Sequence, residues 1–331
     1  MVSKTEVAVK VSKWRLRRAL YWQKFTTFWK EFSKSRIGLI GLGILFFFAF
    51  VAIFAPQLAP YDPFQRNPLS EDGKWDPNIY PEHAFNPPME GHRFGTDYLN
   101  RDIFSEVIYG TRISLTIGLL AASLVVGIGT LMGLVAGFMG GIIDDILMRL
   151  TDLVLIMPML PLMIVLSMVL GRGMYNIVIV IGILVWPSTA RMVRASTLSL
   201  RERGFVEASR SVGASRFRLI FVHILPNVIP LVFATMVLQI GGAILTEASL
   251  SFLGIGDPTS FSWGKILFDA FDNQALVLEF WWYLLPPGIC ISLVVLGFIF
   301  FSYGLDRVVN PRLRIERWSD KALDQLFEER N

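Results

Sequence analysis

Between Glu207 and Pro226 the chain reads Glu207-Ala208-Ser209, three further residues, Gly213, and then His223-Ile224-Leu225-Pro226. These types and spacings suit a mechanical task. Glu207, Ala208, Arg210 and Val212 are compatible with a short helix, and its small residues let another protein close around it. Gly213 is where that helix can stop and turn. Ser215 is suited to cap a second helix carrying Arg216, Phe217, Arg218, Ile220 and Phe221 before Pro226. Flanking charges would fix the register of such a contact. The same composition describes a basic interfacial helix between two spans, and composition alone weighs the two readings equally.

Other reactive residue types are sparse. The three histidines, His83, His92 and His223, are scattered, and Cys290 stands alone inside an apolar run, so no intrachain disulfide forms. A His83/His92 metal site finds no cysteine to join it, so no metal is expected. No Gly-x-x-x-x-Gly-Lys-Ser/Thr run is present: Lys74 and Lys265 follow glycines outside that pattern. The chain therefore has no phosphate cradle, and no catalytic or cofactor-binding residue is expected in it.

The elements that must position the loop are membrane spans. The chain has 331 residues, of which 53% are hydrophobic and 18% charged, and its mean hydropathy is +0.52. Crossing a bilayer takes about 20 mostly apolar helical residues, because every backbone polar group must be satisfied within the helix. Six stretches lack Asp, Glu, Lys and Arg: Ile37–Tyr61, Ile113–Ile143, Leu153–Gly171, Gly173–Ala190, Leu219–Thr246 and Phe280–Leu305. The fourth is short, which places its helix at about Asn176–Ser196 with Arg191 and Arg194 at the inner end. The expected architecture is all-α and polytopic, with six transmembrane helices. The polar lead of 36 residues argues against a cleaved signal peptide and makes the first run an uncleaved span.

Charge bias orients the spans. Residues 1–36 hold ten Lys and Arg against Glu6 and Glu31, and the loop Thr197–Phe217 holds Arg201, Arg203, Arg210 and Arg216 against Glu202 and Glu207. The loop 62–111 has nine acids and four bases, and 247–279 has five acids and one lysine. Both termini and the Glu207 loop are thus expected in the cytoplasm of a multi-pass cell-membrane protein. The net charge of +4 follows from this topology and implies no nucleic-acid partner.

Along the chain, Trp14, Tyr21, Phe25, Phe28, Trp29 and Phe32 recur among basic residues as an amphipathic helix suited to the anionic inner leaflet. Pro56, Pro60 and Pro63 end the first span. Phe94-Gly95-Thr96-Asp97-Tyr98-Leu99-Asn100-Arg101-Asp102 then reads as an external cap on the second helix. Gly129, Gly133, Gly137 and Gly141 fall on one helix face and invite close approach of a neighbour. Asp144 and Asp145 are expected in a short inner turn. Pro158 and Pro161 should kink the third span and free carbonyls for a translocation path or for packing. Gly241-Gly242 interrupts the fifth span, and Glu247 stands near its outer end as a further path candidate. Trp281-Trp282-Tyr283 reads as an outer aromatic belt.

The order Glu207-Ala208-Ser209, Gly213, Leu225-Pro226 resembles the EAA loop of permease subunits in type I ABC importers. Gly95-Thr96-Asp97, Asn100-Arg101-Asp102, Tyr109-Gly110, Arg112-Ile113-Ser114-Leu115, Met148-Arg149, Asp152, Pro226-Asn227, Ser251-Phe252-Leu253-Gly254 and Asn310-Pro311-Arg312-Leu313 resemble the C-type subunit of dipeptide and oligopeptide permeases. The similarity covers roughly Ser33 to Leu313. Ser209 replaces the second Ala of EAA, small for small, and His223 matches the peptide subgroup.

The resemblance implies the type I ABC importer transmembrane fold. It divides the chain into an amphipathic cytoplasmic segment (1–36), a first transmembrane helix (37–59), an extracellular loop (60–111), an ABC type-1 transmembrane domain (112–304) with the EAA loop at about 204–226, and a cytoplasmic tail (305–331). Glu207, Ala208, Ser209, Gly213, Ala214, Leu225 and Pro226 would then couple to an ATPase. Implied partners are a second, different permease, two ABC ATPase subunits that hold ATP and Mg, and an external solute-binding protein. Peptides are the implied solute, with oligosaccharides or nickel as alternatives. An ion-coupled secondary transporter would place ionisable groups mid-membrane. The six charge-free cores speak against that reading. A membrane enzyme lacks its nucleophile and base, and a channel leaves the EAA loop without a role.

Overall fold

Where apolar runs are bounded by proline and glycine, helices form. The computed structural model describes Trp22 and residues 26–64 and 85–309. Most of the basic amphipathic segment, His83, the Asn310–Leu313 motif and the tail beyond Val309 lie outside the described residues. The expected all-helical architecture is borne out: within the described residues β-pairing is limited to isolated bridges, Met89 with His92 and Thr96 with Asp102. In chain order the main helices are α1 (Arg36–Ile53), α2 (Ile103–Met139), α3 (Gly141–Ile156), α4 (Met159–Leu170), α5 (Met174–Arg201), α6 (Gly204–Ser211), α7 (Leu225–Phe252), α8 (Trp263–Asp272) and α9 (Trp281–Val309).

Among the described residues α1, α2, α5, the stretch Arg216–Phe252 and α9 are each long and apolar enough to cross a membrane. The third expected span is broken. α3 and α4 meet at 94° across Met157 and Pro158, so six spans result when this bent pair counts as one. Pro158 precedes the first residue of α4, and Pro161 lies in its first turn, where its missing N–H is harmless. The proline pair therefore makes a corner, sharper than the expected kink.

Other boundaries also move. Asp144 and Asp145 sit inside α3 rather than in a turn; Gly140 (φ 67°) and Gly141 (φ 55°) make the turn. Gly241-Gly242 does not interrupt α7. A Cβ at Gly241 would lie 3.2 Å from Phe298 Cβ, so this glycine admits α9.

The glycine stripe works as expected for three of its four members. A Cβ at Gly129 would lie 2.6 Å from Thr189 Cβ, one at Gly133 2.5 Å from the Ala190 carbonyl oxygen, and one at Gly137 2.8 Å from that of Arg194. α2 and α5 are thus in backbone-to-backbone contact, the geometry that small residues permit in lipid. Arg194 also holds Asp144 of α3 through two bonds (2.5 and 2.6 Å), and Arg191 pairs with Asp152. Gly38 and Gly304 bring α1 onto α9 in the same way as the α2 stripe.

Phe32, part of the expected lipid-facing anchor, is buried with its ring 5.4 Å from that of Phe301, so the described end of that segment packs on α9. Of the expected aromatic belt only Trp281 is exposed; Tyr283 is fully buried.

The core has three principal clusters, one of which joins Ile117 and Val125 of α2, Met163 of α4, Ile181 of α5 and Leu250 of α7. An outer one joins Phe48, Ile103, Ile244, Trp263, Tyr283 and Val294. An inner one joins Leu134 and Phe138 of α2, Val193 of α5, Val206 of α6, and Leu219, Ile224 and Val228.

Candidate functional site

The Glu207 loop folds as its residue types demand. Its helix α6 closes with a pair of bonds from beyond the last turn. Gly213 N–H donates to Arg210 O (2.9 Å) and Ala214 N–H to Ser209 O (3.1 Å). That arrangement needs a left-handed residue at its corner, and Gly213 has φ 83°. Ser215 then caps the next turn: its Oγ accepts from Arg218 N–H at 3.4 Å. Val206 is the single buried residue of α6 and packs into the inner core beside Leu219, Ile224 and Phe138.

Most of the rest of the lever faces outward. Glu207, Ala208 and Arg210 are exposed, Ser209 and Ala214 half-buried, and Val212 and Phe217 are 88% and 76% exposed. Phe205 and Phe221 add to this exposed apolar surface. Large exposed apolar residues beside charges mark contact surfaces. Leu225 packs at the edge of the inner core and Pro226 is exposed. Before them, Leu219–Ile224 winds as a π-helix, with Leu225 N–H donating to Ile220 O. Pro226 and Pro230 supply no N–H, so the backbone here departs from regular α pairing. The structure thus brings Glu207, Ala208, Ser209, Gly213 and Ala214 together on one protruding unit, with Leu225 and Pro226 at its root.

The three path candidates do not cluster. Pro158 and Pro161 are exposed at the corner between α3 and α4. Glu247 is buried where α7 meets α8, and Ser251 Oγ donates to its carboxylate at 2.7 Å. Among the described residues no group of three or more His, Cys, Asp or Glu is arranged to hold a metal.

A second polar centre was read from sequence only as an external cap. The cap is present: Asp102 Oδ2 accepts from Ser105 N–H at 2.8 Å at the start of α2. The helix thus begins at Ile103, ahead of the charge-free stretch that opens at Ile113. Asp102 Oδ1 also lies 3.0 Å from His92 Nδ1, and His92 stacks on Tyr61 at 5.1 Å. Beside this, Arg101 grips Asp97 (Nη2 to Oδ2, 2.5 Å) and lies with Nε 3.1 Å from Glu106 Oε1. Asp97 and Glu106 are fully buried. The guanidinium sits 4.7 Å from the Phe261 ring centroid and 5.5 Å from that of Tyr98.

Asp269 of α8, paired with Lys265, completes the neighbourhood. Burial opposes the Arg101 charge, yet Glu106 and Asp97 outweigh it and hold the guanidinium above its ordinary value. Burial pushes the Asp269 carboxyl up. The signal available in the sequence was a run of charges, Asp97, Arg101, Asp102 and Glu106, abutting an apolar span.

Residues 129–315 match the family described as "binding-protein-dependent transport system inner membrane component", and residues 21–88 match the "N-terminal TM domain of oligopeptide transport permease C". The oligopeptide transport system permease protein OppC of Bacillus subtilis (strain 168) is 38% identical over 297 residues, which is 88% of this chain and 92% of that protein. The dipeptide transport system permease protein DppC of Alkalihalophilus pseudofirmus is 35% identical over 286 residues, 86% of this chain and 89% of that one.

Proposed function

The chain belongs to the family of binding-protein-dependent transport system inner membrane components, and from that premise we propose that it builds, with a second and different permease, the translocation path of an ATP-driven peptide importer. Peptide is the solute because the relatives aligned along most of its length are named for oligopeptide and dipeptide transport. Two cytoplasmic ATPase subunits hold ATP and Mg, and an external solute-binding protein delivers the solute. Both chain termini lie on the cytoplasmic side, as the distribution of Lys and Arg requires.

The observation that carries this reading is the form of α6. It is capped within its own chain, anchored by Val206 as its one buried residue, and exposed over most of the rest of its surface. A partner can therefore grip Glu207, Ala208, Ser209 and the Gly213-Ala214 turn without unfolding anything. ATP-driven approach of the two ATPase subunits would move α6, and the inner core around Val206 would pass that movement to α2, α5 and α7. Rocking of these helices about the corner at Pro158 and Pro161 would open the path outward, and hydrolysis would reset it. Glu247 is the ionisable group nearest that path on α7.

The test is uptake of labelled di- and oligopeptides by the reconstituted complex. Glu207→Ala and Gly213→Pro should abolish uptake while the chain stays in the membrane at normal level. Wild-type uptake by either variant would overturn the coupling assignment, and ATP-independent uptake that collapses with the ion gradient would revive the secondary-transporter reading.

A further inference from the structure

α2 reaches both polar centres. Its first turn carries Glu106, against Arg101, and its last turns carry Leu134 and Phe138, against Val206 of α6. It has 37 residues, so it spans about 55 Å, well beyond the ~30 Å of a hydrocarbon core. It contains no proline, whereas α5, α7 and α9 each do. At its inner end Arg201 Nη1 donates to Phe138 O at 3.2 Å, and the glycine stripe seats it against α5.

Its outer end is tied to the external loop by several contacts, among them Ile103 N–H to Gly95 O (3.2 Å), Tyr61 N–H to Ser105 Oγ (3.2 Å) and the Phe94–Phe104 ring pair. Within the loop, Asp97 Oδ1 accepts from the N–H groups of Leu99 (2.9 Å) and Arg101 (2.6 Å), and Phe85 N–H donates to Asp97 O (3.1 Å). Asp97 and Arg101 therefore make the loop one compact body, and the Arg101 to Glu106 contact, Nε to Oε1 at 3.1 Å, is its buried side-chain link to α2.

We propose that α2 is a rigid rod that carries docking at the external loop to the coupling helix α6, with the Arg101–Glu106 contact as its outer joint. Glu106 is a positioning residue: fully buried against Arg101, it acts through the loop body that Arg101 holds. This rests on the importer reading, because the docked partner is the solute-binding protein and the receiver is the ATPase. A two-ended element becomes a coupling element only when both ends respond to one event.

The test uses the full complex in liposomes, with basal ATP hydrolysis, its stimulation by ligand-loaded binding protein and the Kd of that protein all measured. Glu106→Gln keeps the shape and removes the carboxyl. Basal hydrolysis and Kd should stay within about twofold while stimulation falls about fivefold or more. A merely structural role would lower basal and stimulated rates together, and that result, like full stimulation, would overturn the joint. Should the variant not assemble, amide exchange of the wild-type complex decides. Saturating binding protein should change exchange at Ile103–Thr111 and at Gly204–Ser211, and a change at the outer end alone overturns the proposal. A wild-type complex that hydrolyses no ATP at all would sink the importer reading instead.

Discussion

The two ends of α2 answer the same problem, charge beside a membrane, in opposite ways. At the outer end Asp97, Arg101, Asp102 and Glu106 are drawn inside and paired with one another, with His92, or with the helix start. At the inner end Glu207, Arg210, Arg216 and Arg218 stand in solvent beside Val212 and Phe217, and their unit is seated on the inner core through Val206 and Ala214. The outer end satisfies itself; the inner end is left for something else to complete. Folding energy should therefore concentrate outside and contact energy inside.

The sharpest way to break that contrast is Arg101→Ala, which strands Asp97 and Glu106 in the core. Removing one partner of a buried ion pair costs about 3–5 kcal/mol, so thermal unfolding in detergent should show a large loss of stability. A shift of a degree or two would mean the outer charges are solvated after all. Next comes Val206→Ala at the inner end. It removes the one buried anchor of α6 and should destabilise by about 2 kcal/mol, read as protease sensitivity confined to the loop around Gly204–Ser211.

A smaller effect should come from Asp257, whose carboxylate accepts from Met174 N–H (3.3 Å) and Thr259 N–H (2.9 Å) and so ties the α7–α8 loop to the start of α5. Burial works to raise its pKa, but these bonds and the Thr259 hydroxyl win and hold it below the ordinary aspartate range. The lowered value means its stabilisation is present above pH ~3.9 and fades as pH falls through the folded pKa. Asp257→Asn should thus lower stability by about 1 kcal/mol at neutral pH, with the gap to wild type closing only in strong acid. The smallest stability effect belongs to Val212→Ser and Phe217→Ser, within about 0.5 kcal/mol. Both should nonetheless weaken capture of the ATPase in pull-down. Variants that destabilise the chain but leave capture intact would reverse the assignment of the inner surface.

Much of this was legible in the sequence. Block hydropathy revealed the spans, Gly213 and Ser215 revealed the turn and the cap, and four-residue glycine spacing revealed the α2–α5 contact, because each rests on local periodicity or backbone geometry. What stayed hidden depends on tertiary context. Gly141 shares the spacing of the stripe but lies at a turn, where no neighbour comes near. Gly241-Gly242 looks like a break yet lies within a helix supported by α9. The 94° corner at Pro158 exceeds what a proline pair alone dictates. The outer charges read only as an external cap on a helix, because their burial depends on Phe261 and Tyr283 arriving from other parts of the chain.

The wide turn at Leu219–Ile224 has a consequence for evolution of the loop. Such a turn is a regular helix with one extra residue slipped in, and each residue of an α-helix advances the chain by about 100° around its axis. A single-codon deletion there would let the winding become regular up to Pro226, at the expense of indexing. The protruding lever upstream would point about a quarter turn away from its present heading. Length in this six-residue stretch is thus an angular setting, and lineages could re-aim the lever by indel without altering one of its contact residues.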